Sequence, residues 1–158
     1  MERTELIRRY RAGPDRIAAA VHGLSDAELD HLPRDGGWCA REVVHHTADS
    51  ELTSAIRLRK LIAEEHPLIQ GYDEMEFSRR LHYRERSIDT SLAAVRAARE
   101  SSASILDCLS DAEWGRSGTH SESGAYSVDT WLEVYAAHCH DHAEQIARAV
   151  SEFRALDG

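Results

Sequence analysis

The sequence lacks any apolar stretch approaching the roughly 20 residues needed to cross a bilayer. It also lacks a run of alternating apolar and polar residues that would read as a strand. Cysteine is scarce: Cys39, Cys108 and Cys139 are an odd number at no familiar spacing, which argues against a disulfide framework. Positive charge is short too. With 19 Lys and Arg against 28 Asp and Glu, the formal net charge is −9. That argues against the basic stripe of a phosphate-tracking nucleic-acid binder and against a polybasic membrane contact. The opening residues, Met1 to Tyr10, are charged and amphipathic without the apolar core of a signal peptide, so the expected location is the cytoplasm.

What the chain does have is helical signal and histidine. Its 158 residues are expected to form one domain over 1–158. A domain of that size buries roughly 68–70% of its unfolded surface and needs no staples. A first helix is expected from about Thr4 to His22, interrupted or started late at Gly13-Pro14. Ser25 and Glu28 form a capping box, and residues 33–38 form a loop. A second long helix is expected from Cys39 to Glu65, where His66-Pro67 ends it, and a third from Asp89 to Leu109. The last runs from an N-cap at Ser127 to Phe153. Four amphipathic helices predict an all-α four-helix bundle. Residues 67–88, with one short helix near 73–79, are too long for a hairpin and predict a long crossover connection, so the topology need not be up-down-up-down.

Two of the ten histidines, His138 and His142, lie on the inward line of the last helix with Trp131, Tyr135 and Ile146. Four residues apart, they sit about 40° apart around the helix, close enough for both rings to reach one ion. His46, beside Val43 on the inward line of the second helix, would complete a facial set of three nitrogens with open positions, as catalytic metal sites have. Periodicity alone leaves the plainer reading open, that these are hydrogen-bonded core histidines. A different phase for the second helix would exchange His46 for His45, about 100° away. His140, about 200° round from His138, should face solvent or an interface. The metalloprotease motif is absent, because Cys139 stands where it requires Glu. Asp49, one turn past His46, either orients a ligand ring by accepting its second N–H or is a surface residue near Thr53 and Arg57.

Gly36-Gly-Trp-Cys-Ala-Arg-Glu-Val-Val-His-His46-Thr-Ala-Asp49-Ser resembles the second-helix signature of the DinB-like superfamily, and more narrowly its YfiT branch. Pro67 to Phe77 is similar to that branch's crossover, His120 to Gly124 to its loop before the last helix, and Tyr135 to His142 to its ligand helix. The resemblance covers about residues 20 to 150. The branch is described both as metal-dependent hydrolases and as bacillithiol S-transferases. The resemblance implies a four-helix bundle and a divalent metal, zinc or nickel, bound by His46, His138 and His142. In that pattern the second histidine of the His-His pair is the ligand. Cys39 departs from it, standing where the family often has Thr at the helix cap.

The expected function is therefore a metal-dependent transferase joining a low-molecular-weight thiol, bacillithiol or a relative, to a small electrophile. A second reading is a hydrolase using hydroxide generated on the metal, with Asp49 or Glu133 as the available carboxylate. A third is a non-enzymatic metal-binding dimer, which a fourth ligand from His120 or Cys139 would favour.

Overall fold

The structure, a computed structural model, describes residues 1–156. In chain order its elements are α1 (Arg3–Val21), α2 (Asp26–Asp30), α3 (Ala40–Ala63), β1 (Leu68–Ile69), α4 (Glu74–Arg80), a 3₁₀ turn (Tyr83–Glu85), α5 (Asp89–Leu106), α6 (Asp111–Trp114), β2 (Ser117–His120), β3 (Gly124–Ser127) and α7 (Val128–Leu156). The four long helices α1, α3, α5 and α7 form the bundle. Both α1 and α3 pack on α5 and α7. Consecutive long helices α1 and α3 therefore stand diagonally opposite, unlike an up-down-up-down bundle in which chain neighbours touch.

Local chemistry sets the helix ends. The Ser25–Glu28 capping box opens α2, Asp73 accepts from the Glu76 N–H at 2.9 Å to open α4, and Ser127 accepts from the Thr130 N–H at 3.0 Å to open α7. At α3 the cap residue is Cys39, and the Glu42 carboxylate accepts the Cys39 backbone N–H at 3.1 Å.

Pro14 does not interrupt α1, which runs through it. Proline removes the N–H that would bond the carbonyl four residues back, that of Tyr10. Here the Arg99 guanidinium donates to the Tyr10 carbonyl at 2.5 Å in its place. Gly13 makes room: a Cβ there would overlap the Arg99 guanidinium and lie 2.9 Å from the Cys139 Cβ.

Three short strands are present that the sequence did not reveal. β1 pairs parallel with β2, and β2 antiparallel with β3. Segments of two to four residues are too short to show alternation. Gly118 allows the pairing, because a side chain there would strike the Pro67 carbonyl. The sheet ties the crossover to the loop before α7 and so places Tyr72 and His120 beside the α3–α7 face.

The core has two apolar halves. One holds Tyr10, Leu58, Leu61, Leu106, Trp131 and Leu132; the other holds Ile17, Val43, Val44, Val95, Ile146 and Val150. Between them runs a polar belt to which α3 contributes Glu51 and Ser54, α5 contributes Arg99 and Ser102, and α7 contributes His138. The candidate site opens from this belt.

Candidate metal centre

Helical spacing sets His138 and His142 one turn apart on α7, and the α3–α7 packing brings His46 opposite them. One ligand atom from each lies within 4.8 Å of the others. The ring centroids of His46 are 5.6 Å from those of His138 and 4.8 Å from those of His142. Trp38 covers the His46 ring at 4.6 Å, and Tyr135 meets the His138 ring at 5.5 Å.

The hydrogen bonds fix which ring nitrogens remain for a ligand. His138 Nδ1–H donates to the Glu51 carboxylate at 3.2 Å, and His142 Nδ1–H donates to the Gln145 carbonyl oxygen at 2.8 Å. Both Nε2 atoms then carry lone pairs, and they face each other at 3.2 Å. His46 Nδ1 is sealed from water without a partner. Two Nε2 lone pairs set facing each other repel, a repulsion that a cation between them would remove, and the unpartnered His46 Nδ1 is a further cost of burying that ring. Burial, then the neighbouring His142 and His138, push His46 down to about 3. Burial, then His138, push His142 down to about 4. Both rings are neutral bases at ordinary pH, as metal ligation requires. On the chemistry of its donors, this set fits a divalent cation.

Behind His138 lies a fully buried ion pair. Arg99 Nη2 donates to Glu51 at 2.7 Å and to the Tyr135 carbonyl at 2.6 Å, while Nη1 serves Tyr10. Burial would raise the Glu51 carboxyl, but the Arg99 charge and the hydrogen bonds from His138 and Arg99 hold it below its usual value. Glu51 also lies near enough to His138 and Cys139 to form a second ligand-like group. That group is spent internally: Glu51 is paired with Arg99, and burial keeps the Cys139 thiol protonated.

Asp49, expected to orient a ligand ring, points elsewhere. Its carboxylate accepts the Tyr83 hydroxyl at 2.5 Å, on the crossover side of α3, and the carboxylate on a site histidine is Glu51. Glu133 is exposed on the outer face of α7. His140 Nε2 donates to the Arg9 carbonyl at 3.0 Å, in the α1–α7 interface. His120 is not part of the three-histidine group, but it lines a cavity of about 180 Å³ that shares His138 with it. Cys39 is buried and its thiol is pushed up to about 11, chiefly by burial, so it is inert at neutral pH.

The family model of the DinB superfamily matches residues 9–146. A protein of Oceanobacillus iheyensis, named provisionally as a metal-dependent hydrolase, is 36% identical over 133 residues, spanning 84% of this chain and 77% of its own. YfiT of Bacillus subtilis, named in the same way, is 33% identical over 134 residues, spanning 84% and 75%. The solved structure of Bacillus subtilis YfiT, described as a probable metal-dependent hydrolase with an unusual four-helix bundle topology, superposes with a TM-score of 0.89 at 29% identity, over 96% of this chain and 89% of that one. A mycothiol-dependent maleylpyruvate isomerase superposes with a TM-score of 0.72 at 13% identity, over 92% of this chain and 61% of that one, which speaks to the fold alone. The chain belongs to the DinB superfamily, in its YfiT branch.

Proposed function

We propose that His46, His138 and His142 hold a divalent cation, zinc or nickel, and that the protein is a transferase joining a small thiol to an electrophile. The observation that carries this reading is the ligand set: three histidine rings converge, and no carboxylate in contact with them is free to act as a base. Glu51 is spent on Arg99 and His138, and Asp49 on Tyr83. A cation held there supplies the charge that favours the thiolate form of a coordinated thiol, so no protein base is needed to make the nucleophile. Trp38 and Tyr135 wall the histidines on two sides. The second reactant would sit in the cavity that His138 lines. The thiol proton would pass to solvent, and the sulfur would bond to the electrophilic carbon as the leaving group departs with the electron pair of the broken bond.

A bacillithiol-like thiol suits this chemistry, as do mycothiol and glutathione. Hydrolysis is the second reading. It is supported by the names of the relatives and by Glu74 and Glu122 at the cavity rim, where an exposed carboxylate could take a proton from water. The test is turnover by the metal-loaded protein. Consumption of monochlorobimane that requires a small thiol and stops on chelation is expected. Ester or amide turnover without thiol, and no thiol-dependent reaction, would contradict the transferase reading and leave hydrolysis.

A further inference from the structure

The cavity beside His138 carries more donors than its acceptors can use. Arg57, half-buried on α3, has no carboxylate within 4.0 Å among the described residues, although the chain as a whole is strongly acidic. Its Nη1 donates to the Tyr135 hydroxyl at 3.1 Å and its Nη2 to the Gln70 carbonyl at 2.8 Å, both neutral acceptors. Its Nε–H is sealed from water with no partner. The Tyr72 hydroxyl is likewise sealed and unpartnered, with the Arg57 guanidinium 5.9 Å from its ring. Because Tyr135 accepts from Arg57, its own O–H can donate, and the neutral Ser50 hydroxyl is the side-chain acceptor beside it. His120 Nδ1 accepts the Glu122 backbone N–H at 3.2 Å, so in the neutral ring Nε2 carries the proton. Arg57, Tyr72, Tyr135 and His120 thus line one small cavity with the neutral Ser50 hydroxyl beside the two tyrosines, and the Arg57 cation has no paired carboxylate.

Beside a guanidinium that no carboxylate pairs with, the favoured acceptor is an anion. We propose that Arg57, with Tyr72, Tyr135 and His120, forms a subsite for a carboxylate carried by a reactant at the three-histidine centre. The inference rests on the function proposed above, since the cavity and the centre share His138. The cavity's volume of about 180 Å³ suits a short carboxylate-bearing arm. Glu74 and Glu122, exposed at the rim, face the same cavity. They disfavour a second negative charge inside the cavity, so only one carboxylate of the reactant enters it. The His120 ring is held below its ordinary value by burial first and then by the Arg57 charge, against the opposing Glu122.

Propionate and propionamide, equal in shape and different in charge, test this on the metal-free protein by NMR titration of the Tyr72 and His120 ring signals. Wild type is expected to bind propionate at least about tenfold more tightly than propionamide, the size of a charge-assisted hydrogen bond. Arg57→Gln should abolish the preference and Arg57→Lys should keep part of it, with melting temperatures confirming that both variants fold. Equal binding of the two probes, or a preference that survives in Arg57→Gln, would overturn the proposal. On zinc-loaded protein, 3-mercaptopropionate and 3-mercaptopropionamide identify the carrier. A carboxylate advantage lost in Arg57→Gln places the group on the thiol; equal thiols with propionate still bound place it on the other reactant. Propionate binding through Arg57 in a protein that takes up no metal would refute the metal centre while leaving the subsite standing.

Discussion

His45 and His46 are adjacent in sequence and almost equally buried, 1% and 2% exposed, yet they turn to opposite fates. His45 faces α5 and the crossover. Its Nε2–H donates to the Arg86 carbonyl at 3.2 Å, and its Nδ1 accepts from the Ser91 hydroxyl at 2.7 Å. Both nitrogens are satisfied, and nothing further is needed to explain why a polar ring is tolerated there. His46 faces α7 and two more histidines, with a sealed nitrogen that has no partner. One side of α3 is a finished piece of structure. The other leaves a buried ring nitrogen without a partner. Burial alone therefore does not distinguish the two rings; the completeness of their hydrogen bonds does.

The comparison breaks most severely if the support behind the open side is removed. Glu51→Ala leaves Arg99 as an uncompensated buried charge, and a loss of about 3–5 kcal/mol is expected in urea denaturation. A loss below about 1 kcal/mol would show that the pair does not brace the site. The next effect is on pH. His46 and His142 have folded values of about 3 and 4, below the ordinary histidine value, so between that value and pH 4 the unfolded chain binds protons that the folded chain refuses. The metal-free protein should lose stability as pH falls from about 6.5 towards 4. His46→Ala should flatten that decline, and an unchanged slope would place the depressed groups elsewhere.

Smaller effects sharpen the contrast directly. His45→Ala strands Ser91 and the Arg86 carbonyl and should cost about 1–3 kcal/mol without altering metal content. Smallest of all, Asp49→Asn weakens only the bond from Tyr83. It should cost about 1 kcal/mol and leave metal affinity within about twofold, whereas a tenfold or greater loss of affinity would restore Asp49 as a partner of the centre.

Much of this organisation could be read from the residues. The long helices and the His138–His142 pair follow from spacing, the choice of His46 over His45 from the family resemblance, and the 67–88 crossover from the length of an irregular segment between periodic ones. Asp49 was the natural choice for a ring-orienting carboxylate because it sits one turn from His46, but helix proximity does not say which side of α3 meets α7. Glu51 had a signal of its own that went unused. Val44, Glu51 and Leu58 are spaced by seven, as are Leu92, Arg99 and Leu106. An acid in one core line and a base in another, each bracketed by apolar residues, point to a buried ion pair. The role of Gly13-Pro14 could not be foreseen, since the donor that rescues the Tyr10 carbonyl comes from a residue 89 positions away. The three-stranded sheet was hidden for the same reason: its pairing is tertiary, and its strands are too short to carry a pattern.

The measurement that bears most directly on the account is metal content per chain for wild type, His45→Ala and His46→Ala, each purified under the same conditions and checked for helical content. About one zinc or nickel per chain in wild type and His45→Ala, with little or none in a folded His46→Ala, is the predicted result. Equal metal in all three, or none in wild type, would contradict the claim that the unsatisfied side of α3 is a metal centre.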